Sequence, residues 1–245
     1  MELRHALRTT GAVRAYRPEP VADEVLARVL DTARFAPSGG NQQGWHVVVV
    51  QDPNTRLALR DLYLPGWYDY LTLTAAGLRP WAPTNDPVAE AAALAAPGAA
   101  GVGPRISAAT GGFAERLHEV PVLLVVFVDL RVLAAVDRDT RGYPLAGGAS
   151  VYPFCWGLLL AGREEGLGGV ITTMLLRDEP AVKALLDSPD HWGLAAVVAM
   201  GHPVRQPRSL KRAPVGSFAT VDRATGRAFG PTNPPSSGAT AAPGG

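Results

Sequence analysis

The chain has 245 residues, of which 47% are hydrophobic and 18% are charged, a composition typical of a globular protein and not of a disordered one. Its 23 Lys and Arg residues are balanced by 22 Asp and Glu residues, and the net charge of +1 excludes a nonspecific nucleic-acid binder. Cys155 is the only cysteine, which excludes an intrachain disulfide and a cysteine-rich zinc site.

The N-terminal part is predicted to form two helices joined by a basic loop. In residues 20–35 (PVADEVLARVLDTARF) the apolar side chains recur at helical spacing. The segment APSGGN (36–41) ends this helix, and HVVVVQ (46–51) is a β-branched run typical of a buried strand. Asp52 and Pro53 begin a third helix, which we expect to end near Tyr63.

The rest of the chain mixes further helices and strands. We interpret residues 64–118 as a helical insertion that covers a pocket, and not as a second domain. The elements predicted after it are a strand at 120–130, a mostly buried helix over Ala149–Glu165, a strand or extended loop at 168–174, a short helix at 179–186 and a last strand at 194–201. Without a regular βαβ alternation, this order favours one α+β layered domain over residues 1–229, followed by a disordered tail at 230–245.

The apolar stretches are too short for a membrane helix. The longest ones, at 120–128 and 151–162, fall well below the roughly 20 residues that a bilayer requires. The charged N-terminus does not have the pattern of a signal peptide. We therefore expect a cytoplasmic protein with no membrane partner.

The common catalytic motifs are incomplete. GLGGVI (166–171) lacks the third glycine of a dinucleotide-binding loop, and GASVY (148–152) lacks the last glycine of a nucleophile elbow. The histidines, at positions 5, 46, 118, 191 and 202, have no metal-ligand spacing, so no metal site is expected. No side chain is predicted to be catalytic, and a bound cofactor is expected to carry the chemistry.

Three separated segments resemble the FMN-dependent nitroreductase family. The basic N-terminal segment RTTGAVRAY (8–16) resembles the loop that holds the flavin phosphate, and APSGGNQQGW (36–45) resembles the segment beside the flavin ring. The third match combines GLG (166–168) and the Thr172-Thr173 pair with GHP (201–203) and RAP (212–214).

The resemblance implies the cofactor FMN and a set of residues that bind it. Guanidinium groups match a phosphate dianion well, and short polar side chains suit the edge of the ring. The expected cofactor-binding residues are Arg8, Thr10, Arg14, Pro37, Ser38, Gly39, Asn41, Gln43, Thr172, Thr173 and Arg212, with Lys211 as a weaker candidate. Trp67, Tyr68, Tyr70 and Trp81 are expected to line the slot for the second substrate.

The family also implies a fold, an assembly and a reaction. The fold would be a nitroreductase-like layered one, in which helices flank a central mixed, mostly antiparallel sheet, and two chains would intertwine as a homodimer. Hydride would pass from NADH, NADPH or a deazaflavin through flavin N5 to a nitroaromatic, a quinone or a similar acceptor. The alternatives are a flavin-dependent dehydrogenase or oxidase of a specialised metabolite and a non-catalytic flavin-binding protein.

Four positions depart from the family pattern, one of them Gly157, where relatives tend to have a polar residue. Gly11 and Ala12 stand where relatives usually have a basic residue and a serine, which removes one expected phosphate partner unless Arg8 replaces it. Gly44 replaces the proline that usually precedes the tryptophan. We therefore expect either weaker FMN binding or a changed reaction.

Overall fold

The strand β2, Val122–Asp129, is buried along its whole length and lies inside the sheet. The computed structural model describes residues 1–230; the last fifteen residues, which hold nearly all of the predicted tail, lie outside them. Within the described residues the strands are antiparallel in the order β1-β2-β4-β3. They span Trp45–Val49 (β1), Val122–Asp129 (β2), Gly168–Thr172 (β3) and Trp192–Gly201 (β4).

Helices cover both faces of this sheet. The described α-helices are α1 (Leu3–Thr9), α2 (Asp23–Ala33), α3 (Pro53–Ala75), α4 (Pro87–Ala95), α5 (Ala99–Ala109), α6 (Tyr152–Glu164) and α7 (Glu179–Leu185). None of these helices combines the length and the apolar composition that crossing a bilayer requires. The predicted α+β layered fold, with helices around a mostly antiparallel sheet, is confirmed.

Side-chain alternation along β2 divides the interior into two cores. Leu124 and Val126 pack with α2 and α6, whereas Leu123 and Val125 point to the opposite face, where α3 lies. Successive residues of a strand point to opposite faces, so a continuous apolar run supplies both cores. A bulge interrupts the pairing of β2 with β4 after Val126.

The predicted end of the third helix near Tyr63 is wrong, because α3 continues for three more turns to Ala75. Pro65 lies inside it and removes one backbone donor, the usual reason for a break. Gly66 is buried there, and a Cβ atom on it would lie 3.0 Å from the Met174 sulfur. Close packing against the chain after β3 outweighs the local signal of Leu-Pro-Gly.

The predicted helix over Ala149–Glu165 begins later than expected. Residues Ala146–Ser150 form a 3₁₀ turn, and α6 starts at Tyr152, with Pro153 in its first turn. Proline is favoured in that turn because its missing N–H needs no partner there.

The backbone separates into two compact units, Met1–Arg208 and the part that starts at Ser209. The second unit contains a 3₁₀ turn at Val215–Ser217 and an antiparallel bridge between Thr220 and Ala228. A single domain over residues 1–229 remains a prediction.

Candidate functional site

Thr172 and Thr173 lie at the end of β3, on one edge of the sheet. The Thr172 Oγ1 lies 3.0 Å from the Tyr63 Oη, so the pair joins the sheet edge to α3. Tyr63 is buried, and this burial raises the pKa of its hydroxyl. Thr173 is exposed, and its hydroxyl is open to a ligand.

Arg14 belongs to an extended segment that continues the same edge. Val13 N donates to Gly169 O at 2.9 Å, and Val204 N donates to Ala15 O at 3.0 Å. The Tyr16 hydroxyl lies 2.6 Å from Val13 O, which fixes the segment from within. Arg14 itself is exposed. The backbone around it is therefore rigid while its guanidinium faces solvent.

The charge of Arg14 acts on both tyrosines of this region. Burial raises the pKa of Tyr16 and of Tyr63, and the Arg14 guanidinium opposes that rise in each because it favours the phenolate. Arg14 follows Val13, which is hydrogen-bonded to Gly169 of β3, so it lies along the same sheet edge as Thr172. FMN would need a cation such as Arg14 near its phosphate at one end and hydrogen-bonding groups such as the Tyr63–Thr172 pair near its ring at the other.

Two other predicted residues of the N-terminal segment differ in accessibility. Arg8 is exposed in the last turn of α1. Thr10 is buried, and its Oγ1 has no hydrogen-bond partner within residues 1–230. A ligand can reach the Arg8 side chain directly, whereas the Thr10 hydroxyl is closed to solvent in this structure.

Three of the residues predicted to line the second-substrate slot form a row of aromatic rings, and Arg177 contacts the end of that row. The Trp67 and Tyr70 rings stack at 5.6 Å, and Trp81 lies 6.2 Å from Tyr70. The guanidinium of Arg177 lies 4.0 Å from the Trp81 ring centroid, a cation–π contact. Arg177 lies in the 3₁₀ turn Met174–Asp178 that follows β3, so this contact joins the row to the chain after β3.

Two of the predicted slot residues, Trp67 and Tyr68, are held by hydrogen bonds to Ser107 and Glu115. Trp67 Nε1 donates to the Oγ of Ser107 at 3.0 Å, and Ser107 in turn donates to Glu115 at 2.9 Å. The Tyr68 hydroxyl donates to the other oxygen of Glu115 at 3.0 Å. Both bonds tie α3 to the chain at and after α5, and the exposed Tyr70 ring, which has no such bond within the described residues, is the freest of the three to face a ligand.

The segment from Pro37 to Gln43 is a tight loop before β1. Ser38 Oγ accepts from Gln43 N at 2.9 Å, and Gly39 N donates to Ser150 Oγ at 3.0 Å. Asn41 and Gln43 have φ values of 54° and 50°, and both side chains are exposed. Left-handed non-glycine residues cluster at functional sites, where the surrounding structure holds them in place.

The Pro37–Gln43 loop and the Thr172-Thr173 pair lie at opposite edges of the sheet. The loop leads into β1, whereas Thr172 ends β3, and β2 and β4 lie between them. Three strand spacings separate the edges by roughly 14 Å. One chain therefore does not bring Asn41 to Thr172.

Arg212 belongs to the second unit, where its side chain donates to the Lys211 carbonyl at 2.8 Å. Its role as a phosphate ligand remains a prediction. Among residues 1–230, no three His, Cys, Asp or Glu side chains cluster as metal ligands.

Sequence reasoning missed Tyr63, Ser150 and Arg177. A signal existed for the first, because Tyr63, Trp67 and Tyr70 follow helical spacing, but the helix was predicted to end there. No local pattern marks the other two, since each reaches its position through tertiary packing.

Comparison with known proteins gives a consistent family. The model of the nitroreductase family matches residues 7–202. An NADH dehydrogenase of Thermus thermophilus is 30% identical over 204 residues, which cover 83% of this chain and 88% of that protein. A 5,6-dimethylbenzimidazole synthase of Rhodobacter capsulatus is 28% identical over 201 residues, covering 82% and 83%.

Solved structures share the fold. A BluB-like flavoprotein of Clostridium difficile has a TM-score of 0.65 at 20% identity and covers 91% of this chain and 100% of its own. An iodotyrosine deiodinase bound to FMN and 3-iodo-L-tyrosine has a TM-score of 0.58 at 22% identity, covering 87% and 96%. The NADPH:FMN oxidoreductase of Vibrio harveyi, complexed with NAD⁺, has a TM-score of 0.60 at 17% identity, covering 93% and 78%.

Proposed function

Since this chain belongs to the nitroreductase family, we propose that it is an FMN-dependent oxidoreductase that uses NAD(P)H to reduce a nitroaromatic, a quinone or a similar small acceptor. One observation carries the proposal: Val13, next to Arg14, is hydrogen-bonded to Gly169 of β3, and Thr172, beside Tyr63, ends the same strand, so the residues predicted for the phosphate and the ring lie along one sheet edge. The cytoplasmic location stays a prediction.

The donors present fit FMN. Arg14 offers an exposed guanidinium for the phosphate, with no side-chain partner within residues 1–230. Thr173 offers an exposed hydroxyl, and the stacked rings of Trp67 and Tyr70 offer a flat apolar surface. When bound, FMN supplies the hydride relay through N5, which explains why no side chain needs to be a nucleophile.

The protein's own residues would orient the reactants. The Trp67–Tyr70 stack gives a planar acceptor a face to lie against. Arg177, held over Trp81, places a positive charge at the end of that row, where it favours an acceptor that gains negative charge.

A homodimer is part of the proposal. Leu3, Phe35 and Trp156 expose apolar side chains around a groove of about 470 Å³ that Pro37 also lines. Contiguous apolar surface of this kind is typical of protein interfaces. Association through this groove would carry the Pro37–Gln43 loop of one copy toward the β3 edge of the other, which a single chain cannot do.

A visible spectrum of the purified protein tests the proposal. We expect flavin absorption, or its appearance after addition of FMN, and anaerobic bleaching by NADH or NADPH that an acceptor reverses. Colourless protein that binds no added FMN would refute it. Bound FMN that neither nicotinamide bleaches would refute the proposed donor alone, and a deazaflavin donor would then be tested.

A second candidate is a flavin-dependent dehydrogenase or oxidase of a specialised metabolite. The similarity to a 5,6-dimethylbenzimidazole synthase, nearly equal to that of the NADH dehydrogenase, favours it, as do Gly11 and Gly44. Bleaching by a metabolite but not by nicotinamide would select it. Bound flavin with no turnover against any donor or acceptor would select a non-catalytic flavin-binding protein.

A further inference from the structure

Two contacts hold Arg177 at the end of the aromatic row. Its guanidinium carbon lies 4.0 Å from the centroid of the Trp81 ring. Its side-chain stem passes over Gly66 of α3, where an added Cβ atom would lie 3.4 Å from the Arg177 Cδ. The side chain therefore follows the surface of α3 toward Trp81.

The backbone at Trp81 is fixed by α4. Trp81 has a φ of 54°, a left-handed value that is uncommon for a bulky residue. Glu90 Oε1 accepts from Trp81 N at 2.8 Å and from Asn85 Nδ2 at 2.6 Å, so one carboxylate of α4 holds this turn of the chain. The indole is therefore in place to receive Arg177 before any ligand binds.

The Arg177 guanidinium has no acidic partner. Within residues 1–230 it makes no ion pair, and its N–H groups have no hydrogen-bond acceptor. The carboxylate of Glu179, two residues later, is engaged elsewhere, because it accepts from Leu194 N at 2.8 Å. A cation–π contact uses the charge of a guanidinium but gives its five N–H donors no acceptor atom. Arg177 therefore keeps the planar donor pattern that binds a carboxylate through two parallel hydrogen bonds.

One face of α3 connects this charge to the residues predicted for the flavin ring. Tyr63, Gly66 and Tyr70 recur at intervals of three and four residues, so they lie on the same face of the helix. Tyr63 contacts Thr172, Gly66 lies under Arg177, and the exposed Tyr70 ring is the middle member of the aromatic row. Two helical turns, roughly 10 Å, separate Tyr63 from Tyr70. This length is enough for one aromatic ring with a substituent at each end.

We propose that the acceptor is a planar aromatic compound that carries a carboxylate, and that Arg177 is the residue that selects it. The ring lies against Tyr70, the carboxylate binds the Arg177 guanidinium, and the reducible group points toward Thr172. This inference rests on the proposed function and names its acceptor class. One NAD(P)H and one proton convert a nitro group on such a compound to a nitroso group, water and NAD(P)⁺, so the carboxylate serves binding alone and is not changed.

The kinetic test compares 4-nitrobenzoate with 4-nitrobenzamide, which has nearly the same shape and no charge. With the FMN-loaded full chain, Arg177→Gln is expected to lower kcat/KM for 4-nitrobenzoate about tenfold or more, mainly through KM, while the value for 4-nitrobenzamide changes less than about twofold. Arg177→Lys, which keeps the charge but not the fork, should restore part of the difference. Arg138→Gln is the matched control, since Arg138 is exposed and pairs only with Asp139.

A binding measurement gives a readout that needs no turnover. Benzoate and benzamide lack the nitro group, and the change that each causes in the flavin absorption of the oxidised, FMN-loaded protein gives its Kd. Wild-type protein should bind benzoate about tenfold more tightly than benzamide, and Arg177→Gln should lose that difference. Added sodium chloride should weaken the binding of benzoate more than that of benzamide, because salt screens the ion pair.

The outcomes separate the inference from the proposed function. Wild-type protein that binds no FMN would remove both. FMN-loaded wild-type protein that distinguishes acid from amide no better than Arg177→Gln does would overturn the inference alone. Equal losses for acid and amide would also overturn it, because Arg177 would then only support the aromatic row. Loss of benzoate binding in Arg177→Gln, in a protein that reduces neither nitro compound, would support the carboxylate site and refute nitroaromatics as the acceptor. Circular dichroism and melting curves establish that each variant is folded.

Discussion

The hydroxyl of Tyr63 lies 3.0 Å from the hydroxyl of Thr172, and this contact joins the middle of α3 to the last residue of β3. Arg14 lies near enough to oppose the raised pKa of Tyr63. Tyr63 therefore joins α3 to the residues predicted for the ring, within reach of the positive charge of Arg14.

Replacement of Tyr63 by phenylalanine tests this contact. Tyr63→Phe should lower the free energy of unfolding by about 1 kcal/mol, because it leaves the Thr172 hydroxyl with only the long contact from Met174 N at 3.5 Å. Thr172→Val should cost a similar amount. The double variant should be less destabilised than the two single variants together, as measured by urea unfolding, because both remove the same bond. Strictly additive effects would contradict the hydrogen bond.

Arg56 is expected to be a major stabilising residue of the α3 face. Its guanidinium donates to the carbonyls of Val50, His118 and Val120, which ties the start of α3 to β1 and to the chain before β2. Arg56→Ala should cost about 2 to 3 kcal/mol of unfolding free energy, because three carbonyls lose a charged donor. Arg56→Lys should recover only part, since one ammonium cannot reach all three. A change below 0.5 kcal/mol in Arg56→Ala would contradict this.

The strands were predictable from sequence because their signal is local. Residues 122–129 and 192–201 are nearly continuous apolar runs, and such runs are typical of strands buried on both faces. The α+β layering followed from the irregular order of the elements. The continuation of α3 beyond Pro65 could not be predicted, because packing of Gly66 against Met174, more than a hundred residues away, decides it.

In the site, too, residues within local sequence segments could be predicted, whereas residues placed by tertiary packing could not. Arg14, Thr172 and the Pro37–Gln43 loop lie in short segments that resemble the family, so sequence alone proposed them. Arg177 lies in no such segment. Its contact with Trp81 depends on how the insertion and the end of β3 fold back, and no sequence period records that.

The Ser107–Glu115 pair should control the aromatic row. Ser107 is buried and bonds both Trp67 and Glu115, so Ser107→Ala leaves the indole N–H and one carboxylate oxygen without a partner. If Trp67 contacts the acceptor, this variant should raise the KM for the acceptor several-fold and leave FMN affinity unchanged. Steady-state kinetics and flavin titration measure the two effects. Thr140→Ala is the comparison, since Thr140 is exposed and its hydroxyl donates only to the Asp137 carbonyl; the same KM change there would contradict a specific role for Ser107.

Cys155 should be unreactive in the folded protein. The thiol is fully buried in α6, and burial raises its pKa to about 12. In the unfolded chain the thiol ionises near its ordinary value, about 8.5. Raising the pH between those values ionises the unfolded state alone, so this group destabilises the fold progressively across that range. Iodoacetamide at pH 8.5 should label the denatured protein rapidly and the native protein at the rate of global unfolding; rapid native labelling would contradict the burial.

The groove beside Pro37 should be the dimer interface, and Phe35 is the residue that tests it. Phe35 is 76% exposed and lines that groove, so Phe35→Glu should leave the folded chain intact while placing a charge in the interface. We expect wild-type protein to elute as a dimer in sizing chromatography and Phe35→Glu as a monomer. Val136→Glu is the matched control, because Val136 is 83% exposed and does not line the groove. The monomeric variant should also bind FMN more weakly, since Asn41 and Gln43 of a second copy no longer reach the β3 edge. A wild-type monomer that binds FMN tightly would contradict the shared site, and a Phe35→Glu dimer would place the interface elsewhere.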